Sequence, residues 1–89
     1  MSSYEKKKRE LITSKLMNTL SQLSTYKSIS PDTPPEQWLS TREIADQCQL
    51  GIYQTRYFLI ILEDNNLVVR TSKPVSNSLR WRIKTQKTN

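Results

Sequence analysis

At 89 residues the chain is sized for one domain, residues 1–89, with a thin hydrophobic core. It carries 14 Lys and Arg against 8 Asp and Glu, a net charge of +6 that favours polyanionic partners. With no His, one Cys and one Gly, it holds no phosphate-cradling loop and no ligand-spaced cluster, so neither an enzyme nor a cofactor is expected.

Residues from about 3 to 24 read as a first helix. Ile12, Leu16, Leu20 and Leu23 recur at i, i+4, i+8 and i+11, one continuous apolar stripe. Lys6, Lys7, Lys8 and Arg9 precede the stripe, either as a solvated cluster or as phosphate contacts. The basic start lacks the apolar centre and cleavage site of a signal peptide, and no apolar run approaches membrane-spanning length. A cytoplasmic protein with no membrane contact is expected.

Residues 25–39 form the least regular segment, with Pro31, Pro34 and Pro35 interrupting any long helix. Thr33 and Glu36 have the spacing to cap one short turn, and Trp38 and Leu39 would anchor the loop on the domain. A helix-turn-helix is predicted over about 40–65. Ser40-Thr41-Arg42-Glu43 is a capping-box pattern that opens a helix to about Cys48, with Ile44, Ala45 and Cys48 on its apolar face. As the lone cysteine, Cys48 forms no intrachain disulfide and reads as a core residue. Gly51 then serves either a strained turn or the N-cap of the next helix.

In that next helix Ile52, Thr55, Leu59 and Leu62 share a buried stripe, flanked by Phe58. Tyr53, Arg56 and Tyr57 lie on the other side of its first two turns, with Gln54 at the margin. Hydrogen-bonding and flat side chains near a helix N-terminus suit entry into a DNA major groove; an amphipathic core helix with an idle polar face is the alternative. Ile60 and Ile61 fall to the side, either covered by the wing strands or open as an apolar patch for a partner. Asn66 is the candidate for the left-handed residue that closes the helix.

From Asn66 onward the chain has Arg70, Lys73, Arg80, Arg82, Lys84 and Lys87 and no acid. Residues 67–71 read as a strand and 72–78 as a loop. In 79–84 Leu79, Trp81 and Ile83 alternate with Arg80, Arg82 and Lys84. These two strands make a wing over about 67–84, followed by a tail at 85–89. The expected fold is therefore α+β: a winged helix-turn-helix of three main helices and a two-stranded β-hairpin wing.

Thr41-Arg42-Glu43-Ile44-Ala45, then Tyr53-Gln54-Thr55-Arg56-Tyr57 with Leu59, Leu62 and Glu63, then Leu67-Val68 and Trp81, resemble the FaeA/PapI-like regulators of fimbrial operons. The resemblance covers roughly residues 40–84, and the Tyr-Gln-x-Arg-Tyr run is its most specific part. It implies a small bacterial transcriptional regulator of fimbria or adhesin genes. It also implies action beside the leucine-responsive regulatory protein at DNA sites that carry adenine-methylation sequences, as in phase variation. The chain departs from the family in a longer 25–39 link, in Asn66 at a frequent Gly position, and in a less basic wing loop.

On double-stranded DNA, Gln54 and Arg56 are the expected base readers, since Gln pairs in two places with adenine and Arg with guanine. Tyr53 and Tyr57 would add hydroxyls to phosphates or pack on sugars. Arg42, Arg70, Lys73, Arg80, Arg82 and Lys84 are the candidate phosphate contacts, with a merely solvated charge as the alternative for each. A monomer or weak homodimer of this size should bind weakly and with strong salt dependence by itself. The competing class is a winged helix used only for protein–protein contact.

Overall fold

The computed structural model describes residues 3–84, so the 85–89 tail lies outside the described residues. The elements run α1 (Ser3–Tyr26), a single 3-10 turn (Pro35–Gln37), β1 (Leu39–Ser40), α2 (Thr41–Cys48), α3 (Ile52–Asp64), β2 (Val68–Arg70) and β3 (Arg80–Ile83). This is the expected α+β arrangement, with a hairpin wing and one added strand. The sheet is antiparallel with order β1-β3-β2. A two-residue strand such as β1 carries no alternation to read, which is why the sequence leaves it unmarked where the 25–39 loop meets the helix-turn-helix.

The core joins one stripe from each helix to the inner face of the sheet. Leu16 and Leu20 of α1, Ile44 and Cys48 of α2, and Phe58, Leu59 and Leu62 of α3 meet Leu39, Val68 and Trp81. Ile12 and Leu23, the ends of the α1 stripe, are partly buried against this cluster. Burial of this kind stabilises by roughly 1.5–3 kcal/mol per large side chain, the main favourable contribution in so small a domain. Trp81 is fully buried, and its indole Nε1 donates to Thr41 Oγ1 at 2.8 Å. The Thr41 hydroxyl in turn donates to the Leu79 carbonyl at 3.4 Å, so one buried hydroxyl ties the start of α2 to the wing.

The local signals around α2 act as expected. Ser40 and Glu43 form a complete capping box, Glu43 N donating to Ser40 Oγ at 3.1 Å and Ser40 N to Glu43 Oε1 at 2.9 Å. Gly51 is the N-cap of α3 with an ordinary φ of −67°, so of its two expected roles the cap is the one it fills. The left-handed residue of that turn is Gln49 instead, with φ 58°. Asn66 takes a φ of 62° just after α3, as its side chain allows.

The Thr33 cap does not form. Pro34 is the N-cap of the short 3-10 turn and supplies no side-chain cap, while Thr33 Oγ1 accepts from Ser30 N at 2.8 Å. Proline has fixed the turn's entry without help from a hydroxyl. Trp38 is the expected anchor, buried with its Nε1 donating to the Thr33 carbonyl at 2.8 Å. Among the described residues no helix is long and apolar enough to cross a membrane.

Candidate nucleic-acid interface

Four residues bury α3: Thr55, Phe58, Leu59 and Leu62. Ile52, expected in the same stripe, is 37% exposed. At about 100° per residue it stands about 70° from the centre of the buried face, and the helix's first turn overhangs the core there. The same rotation sets Tyr53 and Tyr57 opposite the buried face, and they are 86% and 54% exposed. Gln54 and Arg56 are both exposed but lie on opposite flanks of this tyrosine crest, about 160° apart. Tyr57 also packs edge-on against Phe58, with ring centroids 5.2 Å apart, which steadies the crest from below.

Beside the Arg56 flank runs an open cleft of about 600 Å³. Thr41, Arg42, Ile52 and Arg56 form its helical wall, and Arg70, Ser72, Pro74 and the loop 76–79 form its wing wall. The wing closes in a two-residue turn: Val75 and Ser78 pair N to O at 2.8 and 3.1 Å, with Ser76 and Asn77 at φ 51° and 66°. Two successive left-handed residues are the mark of a type I′ hairpin, whose twist matches the strands it joins. The wing loop is thus closed as a hairpin, and Thr71 N continues the pairing to the Arg80 carbonyl at 2.9 Å.

The structure divides the cations expected at phosphates. Arg42, Lys73 and Lys84 are exposed, and none of them forms an ion pair among the described residues. Arg70 is exposed too, but its Nε donates to both carboxylate oxygens of Glu63, at 3.1 and 2.9 Å. Arg80 and Arg82 are drawn inward. Arg80 Nη1 donates to the Trp38 carbonyl at 3.2 Å and stands 3.7 Å from Glu43 Oε1. Arg82 lies over the Trp38 ring, 5.0 Å from its centroid, and donates through Nη1 to the Ile83 carbonyl. The second face of β3, which alternation alone assigns to solvent, is covered by the folded-back 25–39 loop.

Glu43 is the acid around which this inner cluster assembles. Its Oε2 accepts from Lys27 Nζ at 2.9 Å, linking the end of α1 to the α2 cap. Burial pushes its carboxyl up, but the Ser40 backbone and hydroxyl bonds and the Lys27 ammonium together hold it below the ordinary carboxylate value. Of the two isoleucines left open by the sequence, Ile61 packs partly against the core while Ile60 stays 38% exposed beside Tyr57. The wing therefore does not cover both.

No curated protein and no solved structure matches the chain. The FaeA-like protein family model matches residues 20–85, from the last two turns of α1 through the wing. The match takes in the 25–39 loop and β1 as well as the 40–84 stretch whose motifs carry the resemblance. The chain belongs to the FaeA-like family, the FaeA/PapI-like regulators.

Proposed function

We propose that this protein is a cytoplasmic DNA-binding regulator of fimbria or adhesin genes that works beside the leucine-responsive regulatory protein. One observation carries the reading: the exposed Tyr53, Gln54, Arg56 and Tyr57 surface of α3 borders a cleft whose walls bring Arg42, Arg56 and Arg70 together. A duplex lying against α3 meets base-reading groups and phosphate-binding groups in one footprint. Arg56, at the edge shared by helix face and cleft, is the principal base reader, and Gln54 reads from the opposite flank. The tyrosines, at the crest, contact sugars and phosphates on both sides. Arg42, Arg70, Lys73 and Lys84 supply backbone contacts, while Arg80 and Arg82 hold the wing to the 25–39 loop.

A single module of this size buries about 600–1,000 Å² on DNA, at the low end for specific recognition, so a second protein is needed for tight binding. The half-exposed Ile60 supplies a small apolar surface next to the reading face for that contact. The same patch is what favours the second reading, a winged helix that touches only protein.

A gel-shift titration on a fimbrial promoter fragment, with and without the leucine-responsive regulatory protein, at two salt concentrations, separates the two. An enhanced shift in the mixture, lost on a scrambled fragment, is the expected result. A protein complex that forms equally well without DNA, with no shift by this chain in any lane, selects the protein-contact reading.

A further inference from the structure

Within the acid-free run that begins at Asn66, Arg70 pairs with a carboxylate, Glu63 near the end of α3. Elementary electrostatics makes an acid at this place a liability for a DNA-binding surface, because it repels phosphates and cancels a nearby cation. The geometry of its bond shows what it does instead. Glu63 engages Arg70 through Nε alone, both oxygens lying 2.9–3.1 Å from that one nitrogen. The four N–H groups on the two terminal nitrogens of Arg70 meet no acceptor among the described residues, and Arg70 lines the cleft.

We infer that Glu63 is a positioning residue: it grips Arg70 by Nε so that the terminal fork is presented to the α3–wing cleft, where with Arg42 it seats one backbone phosphate of a duplex. The backbone of Arg70 is fixed by its ladder position opposite Trp81, so the carboxylate needs to restrain only the side chain. Arg42 reaches the same cleft from the first turn of α2, and the wing residues Ser72 and Asn77 complete the wall with neutral polar groups. A guanidinium whose orientation is set beforehand loses less conformational freedom on meeting a phosphate, and its fork matches phosphate geometry. The inference rests on the DNA-binding reading above and deepens it: one backbone contact is assigned to a built site, while Arg56 keeps its base-reading role.

The test exploits a difference in sign. If Glu63 were only an acid near DNA, Glu63→Gln would tighten binding by removing repulsion. As a positioning residue, its loss weakens binding. The measurement is fluorescence anisotropy of a labelled fimbrial promoter fragment, with the leucine-responsive regulatory protein present, over a salt series. Arg70→Ala is expected to weaken binding about tenfold and to lower the salt slope by about 0.9, the share of one phosphate contact. Glu63→Gln should weaken it about threefold, the double variant should match Arg70→Ala alone, and Arg70→Lys, which keeps the charge but loses the fork, should fall near Arg70→Ala. Thermal melts of the variants confirm that the surface pair is not needed for folding. Glu63→Gln binding as tightly as the unaltered protein or tighter, or Arg70→Lys binding like it, overturns the seat while leaving DNA binding intact. Failure of the unaltered protein to bind any duplex overturns the regulator reading and the seat together.

Discussion

The cleft wall formed by α2 and α3 and the second face of β3 are both arginine-bearing, yet they put those arginines to opposite use. Arg42 and Arg56 stand exposed on helical turns with no carboxylate paired to them among the described residues. Arg80 and Arg82, on a strand, are half-buried against Trp38 and Glu43. Formal charge is the same in both places. What differs is the neighbour: among the described residues nothing folds over the first turns of α3, whereas the 25–39 loop returns over β3 and adds β1 to the sheet. The arginines therefore form two surfaces, an outward one open beside the cleft and an inward one that fastens a loop.

That contrast can be broken at its outward side first, where the expected effect is largest. Arg56→Ala should lower affinity for the cognate fragment by about 1–3 kcal/mol and leave affinity for random duplex nearly unchanged, read by competition anisotropy. Equal loss on both sequences would move Arg56 from base edge to backbone. Next comes the buried tie between α2 and the wing. Thr41→Val strands the Trp81 indole N–H and should cost about 1–3 kcal/mol in urea unfolding, because a buried donor loses its acceptor.

Arg82→Ala tests the division itself. It should destabilise the fold by about 1 kcal/mol through the lost Trp38 contact and leave the salt slope of DNA binding unchanged. A lower slope with unchanged stability would return Arg82 to the phosphate-binding surface. The smallest effect concerns Glu43. Its folded carboxyl titrates below the ordinary value, so its contribution is present above the unfolded pKa and is lost as pH falls through the folded one. Melting temperatures of the unaltered protein and Glu43→Gln should converge in acid and separate above about pH 4.5. A constant gap across that range would dissociate the carboxylate charge from stability.

What the sequence made legible was whatever depends on near neighbours. The Ser40–Glu43 box lies within one turn, the α1 stripe repeats along one helix, and Asn66 closes α3 by its own backbone tolerance. The exposed face of α3 was legible because Tyr53, Gln54, Arg56 and Tyr57 lie off the helix's apolar stripe. The rest depends on contacts far along the chain. Whether Arg80 and Arg82 are free is decided by Trp38, more than 40 positions away, and alternation cannot say which face of a strand a loop will cover. Ile52 misled for a different reason. It keeps the i, i+3 spacing of a buried residue, but the helix begins before the core does.

The chain holds one glycine, and that residue sits where no unusual dihedral is required. Five other joints adopt left-handed backbone with side chains in place: Ser28, Gln49, Asn66, Ser76 and Asn77. Each such joint stores on the order of 1 kcal/mol, somewhat less for asparagine. The connections rather than the interior thus hold this domain's thermodynamic headroom, and glycine scanning of those joints could adjust its persistence without disturbing a single packed side chain.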